Sequence, residues 1–101
     1  MEKKSKGKVY ISGPIAHYDL SERKTAFAKT ALYLKCSEYD TVNPFDNGIH
    51  DDAPWQEHMK ADMKLLLECK YIYMMPGWQL SKGCKLELDV ATSCDIETIN
   101  L

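Results

Sequence analysis

Two acidic residues occupy positions where a helix is expected to be apolar. Asp62 stands three residues after Met59 and four before Leu66, and Glu87 has the same relation to Cys84 and Ala91. On a helix those spacings share a face, so each carboxylate falls on or beside the stripe that packs against the rest of the domain. An unpaired carboxylate there loses hydration worth on the order of several kcal/mol, and it responds by raising its pKa or acquiring a partner. An ion pair with a neighbour such as Lys60 or Lys64 accounts for either residue alone. Two at matching positions in consecutive helices point to chemistry instead. Paired carboxylates cleave glycosidic bonds, one as nucleophile or ion stabiliser and the other as proton donor.

The elements that position them follow from punctuation and periodicity. Lys8 to Ser12 is a β-branched and aromatic run stopped by Gly13-Pro14, which predicts a first strand. Ser21 can cap a helix with Phe27, Thr30, Ala31 and Leu34 on one face, running to about Cys36. Asp40 to Asn43 predicts a brief second strand closed by Pro44, and 45–53 is loop chemistry around Asp46-Asn47-Gly48. Pro54 suits the first turn of a second helix, ending near Glu68, with Trp55, Met59, Met63, Leu66 and Leu67 as its stripe.

Tyr71 to Met75 is a continuous apolar run, as expected of a central strand covered on both faces, and it ends at Pro76-Gly77. Ser81 can cap a third helix carrying Cys84, Leu88 and Ala91, and Ile96 to Ile99 gives a last short strand. The order βαβαβαβ predicts an α/β fold: a Rossmann-like or flavodoxin-like three-layer sandwich around a four-stranded parallel sheet. Ligands of such sheets bind beyond the carboxyl ends of the strands, where the loops 13–20, 44–53 and 76–82 fall. Both carboxylates lie in the first half of a helix that follows a strand, so both face that edge.

Bulk properties narrow the function. A chain of 101 residues, 45% hydrophobic, supports one core and one domain, expected to span 1–101 with 1–7 frayed. The formal charge of -2 argues against a nucleic-acid polymer as partner, because gripping phosphates takes an excess of positive charge. Lys3, Lys4, Lys6 and Lys8 read as a solvated terminus rather than a basic arm. No apolar stretch approaches the roughly 18 to 20 residues of a membrane span, and the Lys-rich start has no apolar segment after it, so a soluble cytoplasmic protein without membrane partners is expected. Cys36, Cys69, Cys84 and Cys94 form no C-x-x-C pair and sit in periodic segments, as buried thiols of a reducing compartment would. His50, Asp51, Asp52 and His58 lack a standard ligand spacing, so no metal is assigned.

Tyr10-Ile11-Ser12-Gly13-Pro14 and the run from Gly77 through Ser81-Lys82-Gly83-Cys84 to Glu87 resemble segments of a known family. They are similar to the nucleoside 2-deoxyribosyltransferases and the related deoxynucleoside 5'-monophosphate N-glycosidases, including a compact phage and bacterial branch of unassigned function. The likeness covers nearly the whole chain, from the first strand through the third helix. The single element Y-x-x-G-P is unspecific. Combined with an Asp in the second helix and S-x-G-x-x-x-E opening the third, it forms a more specific set.

The resemblance implies that Glu87 is the catalytic nucleophile, holding the deoxyribosyl group as an ester, and that Asp62 handles the proton on the leaving base. It implies that the Tyr10 hydroxyl positions the nucleophile. Ser12, Gly13 and Pro14 would shape the turn beneath the ligand, and Gly83 would let the backbone approach sugar or phosphate closely. No cofactor is implied. A homodimer or larger homo-oligomer is, because enzymes of this type often complete their site with a neighbouring subunit.

Some positions depart from the family pattern. Ser81 stands where the transferases often carry an acid and the monophosphate glycosidases a phosphate-contacting serine, which favours a nucleotide. A hydroxyl at a helix N-terminus suits an anion, and the same serine can cap the helix. Cys69-Lys70 replaces an Asp that often ends the second helix. The first loop, Ser12-Gly13-Pro14-Ile15-Ala16-His17, lacks the glycine richness and arginine of some glycosidases; the chain's one arginine is Arg23. Trp78 either stacks on a base or covers the core edge. Asn43 and Asp46 either contact substrate or form turns. The expected function is cleavage or transfer at the N-glycosidic bond of a deoxynucleoside or its 5'-monophosphate. The alternative is a non-catalytic module that senses a nucleotide in the same pocket.

Overall fold

The computed structural model describes residues 5–99. Among them four strands and three α-helices alternate: β1 (Lys8–Ser12), α1 (Leu20–Cys36), β2 (Asp40–Val42), α2 (Trp55–Leu67), β3 (Tyr71–Met74), α3 (Lys82–Ser93) and β4 (Glu97–Ile99). Short 3-10 turns at Pro44–Asp46 and Trp78–Leu80 follow β2 and β3. All strand pairings are parallel and the sheet order is β2-β1-β3-β4. Parallel neighbours need a crossover, and each crossover here is a helix, as predicted for the α/β sandwich. Among the described residues no helix is long and apolar enough to cross a membrane.

Strand alternation divides β1 between two cores. Val9 and Ile11 pack with Phe27, Ala31 and Leu34 of α1, while Tyr10 packs on the opposite face with Leu66 of α2, Ile72 of β3 and Ala91 of α3. Tyr10 and Ser12 therefore face the α2–α3 layer, where both carboxylates reside. Met59, Asp62 and Leu66 are the buried residues of α2, and Cys84, Glu87 and Ala91 are those of α3. The two helices thus repeat one pattern, with the acid between two apolar residues.

Several boundaries and environments differ from expectation. Asp19, not Ser21, caps α1: its carboxylate accepts from the Glu22 N–H at 3.0 Å, a stronger charge-assisted cap placed two residues earlier. Pro54 precedes α2 as its cap residue rather than sitting in the first turn. Leu67, assigned to the α2 stripe, is exposed because the helix ends there and turns it past the core. Cys69 and Cys84 are buried, but Cys36 and Cys94 are exposed at the ends of α1 and α3; all four are free thiols. Arg23 is buried as well. Its guanidinium lies over the Tyr18 and Phe27 rings, with Nη1 3.5 Å from Glu22, and Nε and Nη2 have no hydrogen-bond partner among the described residues. Residues 1–4 of the start expected to fray lie outside the described residues, whereas the Lys6 N–H donates to Glu38 C=O at 2.9 Å.

Gly13 follows β1 in a space with no room for a side chain. A Cβ there would lie 2.6 Å from Met75 Sδ, 2.9 Å from Phe27 Cζ and 3.1 Å from Met75 Cβ. The methionine sulfur can move, but the Phe27 ring is fixed in the core. Gly13→Ala is expected to destabilise the protein by about 1–3 kcal/mol through overpacking, seen as a lower urea midpoint with an unchanged slope. At the end of β3, Gly77 adopts φ +88, a left-handed turn that an L side chain rarely takes. That turn leads directly to the cap of α3.

Candidate active site

Glu87 is anchored at both oxygens. The Tyr10 hydroxyl donates to Oε2 at 2.5 Å and the Ser12 hydroxyl donates to Oε1 at 2.8 Å. Because the two donors are alternate residues of one strand, their side chains leave the sheet on the same face and reach the helix side by side. All three residues are buried. The carboxylate is held in one orientation, with little freedom to turn away.

Asp62 is met from the second loop. Asn47 Nδ2 donates to Asp62 Oδ1 at 2.8 Å and also lies 3.2 Å from His58 Nδ1. Asp62, Glu87 and Tyr10 line one cavity of about 740 Å³ at the carboxyl edge of the sheet, within the size range of small-molecule sites. Gly13, Pro14, Ser81 and Gly83 line it too. Ser81 caps α3, its hydroxyl accepting from the Cys84 N–H at 3.2 Å, so it serves as cap and cavity wall together. Gly83 also packs α3 onto α2: a Cβ at that position would stand 3.4 Å from Met59 Sδ.

Three expected site positions are not among the residues that line the cavity. Asn43 uses its side chain to accept from the Phe45 N–H at 3.0 Å, capping the 3-10 turn. Trp78 opens the 3-10 turn after β3, while the neighbouring Leu80 reaches the cavity. Ser12 does not line it either and acts from below, through Glu87. Conversely, Asn47 and Trp55 line the cavity without having been singled out for a site. For Asn47 the sequence offered only a turn signal, Asp46-Asn47-Gly48. Among the described residues no three or more His, Cys, Asp or Glu side chains converge as a metal site. Asp51 is engaged elsewhere, pairing with Lys24 at 2.9 Å.

The electrostatics follow from burial. Desolvation raises Glu87 to about 7, opposed by the Tyr10 and Ser12 hydroxyls and assisted by repulsion from Asp62. Asp62 is also raised, again chiefly by desolvation, with the Asn47 amide and His58 pulling the other way. Tyr10 is pushed well above its usual value by burial and by both carboxylates, so it stays a neutral donor. Desolvation, with a lesser repulsion of Glu87 by Asp62, thus favours the protonated form of both acids. Tyr10→Phe removes a donor that favours ionised Glu87, so the Glu87 titration is expected to move above about 7, as followed by carbon NMR of the side-chain carboxyl.

The arrangement offers an oriented carboxylate, a second carboxyl able to carry a proton, and a cavity of small-molecule size. Residues 7–100 match the family model described as a domain of unknown function (DUF4406). No curated protein matches the chain.

Proposed function

Since the chain belongs to the DUF4406 family, whose description carries no activity, we propose from the site itself that this protein cleaves or transfers the N-glycosidic bond of a deoxynucleoside 5'-monophosphate or deoxynucleoside. The observation that carries the reading is Glu87, held at both oxygens by Tyr10 and Ser12 and sharing one cavity with Asp62. The resemblance to nucleoside 2-deoxyribosyltransferases supports it through the same residues.

The chemistry balances with these side chains. A Glu87 oxygen attacks the anomeric carbon as the bond from that carbon to the base nitrogen breaks. The electron pair leaves with the base, and the Asp62 proton neutralises it. Water or a second base then attacks the same carbon, releasing Glu87 as carboxylate and returning a proton to Asp62. Glu87, raised to about 7, holds a proton readily in the free protein, so the reactive form, with Glu87 ionised and the proton on Asp62, is the minor one. Activity is therefore expected to rise as Glu87 ionises near pH 7 and to depend on Asp62 keeping its proton.

A phosphate is accommodated at the start of α3. The Ser81 hydroxyl, the free N–H groups of the first turn and Lys82, whose Nζ lies 4.7 Å from the Trp55 ring centroid, all suit a dianion there. The exposed apolar residues Tyr18, Leu20, Trp55 and Leu80 border the cavity, in keeping with a second copy closing it. Sedimentation should then give a dimer or larger, and a strict monomer would remove that element.

The deciding experiment incubates the protein with deoxynucleosides and their 5'-monophosphates, with and without a second free base. Release marks a hydrolase and exchange a transferase. Stoichiometric binding without release over hours would favour a nucleotide-sensing module, and the absence of both binding and release would sink the reading.

A further inference from the structure

Asn47 stands in the loop after β2 and none of the chemistry above assigns it a task. Its carboxamide oxygen accepts from the Ile49 N–H at 2.9 Å. That bond settles which end of the amide faces which way, because the oxygen is committed to its own turn. Nδ2 must then face Asp62 Oδ1 at 2.8 Å and His58 Nδ1 at 3.2 Å, and its two hydrogens match those two acceptors. As an acceptor His58 Nδ1 carries no hydrogen, so this bond requires the neutral ring with its hydrogen on Nε2.

We infer that Asn47, locked by Ile49 and braced by His58, is a positioning residue that dictates which oxygen of Asp62 carries the transferable proton. The inference rests on the reading of Asp62 as proton donor. Oδ1 spends a lone pair on the amide N–H, so the proton of the neutral acid resides on Oδ2. When that proton moves to the leaving base, the electron pair of the broken O–H bond stays on Asp62, and the Asn47 N–H stabilises the carboxylate left behind. The benefit is greatest in the transition state, where the negative charge on Asp62 is developing. Asn47, His58 and Asp62 all line the same cavity, and they are brought together from a loop and a helix.

The discriminating variable is the leaving group. Natural bases need protonation to depart, whereas a 4-nitrophenyl group on the same deoxyribosyl 5'-phosphate leaves as a stable anion without it. Asn47→Ala removes the donor. Asn47→Asp keeps the size and an oxygen for the Ile49 N–H but replaces the amide donor with an acceptor. Both variants are expected to lose about 10- to 100-fold in kcat on a deoxynucleoside 5'-monophosphate and at least ten times less on the 4-nitrophenyl substrate, relative to wild type. Nitrogen NMR of labelled histidine in the wild-type protein should show His58 with its hydrogen on Nε2.

Equal losses on the two substrates, a fully active Asn47→Asp variant, or a His58 hydrogen on Nδ1 would each overturn the inference while leaving the glycosidic reading intact. A wild-type protein that cleaves neither substrate would overturn both.

Discussion

Glu87→Gln is expected to lower base release by roughly 10⁴-fold or more while leaving the protein folded, since removing a nucleophile typically costs that much. The amide cannot form the ester to the anomeric carbon, yet it retains an oxygen for one hydroxyl and an N–H₂ that the other can rotate to accept. The two donors on β1 therefore stay satisfied, and circular dichroism and urea unfolding should show an intact fold. A variant that releases base at the wild-type rate would end the assignment of Glu87.

The same substitution has a stability signature whose sign can be worked out. Glu87 is raised from 4.5 to about 7 in the fold, so between those values the native protein binds more protons than the unfolded chain. Stability is then fully supported by this group below pH 4.5 and declines as pH rises through 7, by up to about 3 kcal/mol. Glu87→Gln abolishes that slope. Relative to wild type, the variant should gain stability between pH 5 and pH 8, measured by urea midpoints at the two pH values. Constant relative stability would show that burial does not penalise the carboxylate.

Asp62→Asn is expected to reduce release of natural bases by about 10²- to 10⁴-fold, the usual worth of a positioned general acid, with much less loss on the 4-nitrophenyl substrate. Its effect on Glu87 runs opposite to that of Tyr10→Phe. Loss of the Asp62 charge removes a repulsion, so Glu87 should ionise below about 7, visible in the same carboxyl titration. A Glu87 titration unmoved in this variant would show that the two acids are not coupled. An equal loss on both substrates would show that Asp62 does not act as the acid.

Glu87 and Asp62 were legible early because both sit on helices, where a residue's face follows from counting. The repeated spacing in Met59-Asp62-Leu66 and Cys84-Glu87-Ala91 is a local property of the chain, and burial of all six residues bears it out. Strand alternation likewise commits Tyr10 and Ser12 to one face. Neither periodicity applies to a loop, where backbone angles vary residue by residue, so Asn43 and Asn47 could not be told apart in advance. One caps its own turn and the other reaches Asp62, fifteen residues further along.

Arg23 and Leu67 show the limit of helical phase. Helical phase ranks positions around an axis but not where the packed neighbour ends, so a charged residue early in α1 is covered by the first loop and an apolar one at the end of α2 is not. By itself the sequence determined the alternating order of strands and helices, the parallel sheet and the faces carrying the two acids, because these follow from periods of two and 3.6 residues. Only the tertiary structure decided that Tyr10 and Ser12 both close on Glu87, that Asn47 and His58 meet Asp62, and that one cavity joins them, since such distances come from packing elements far apart in the chain.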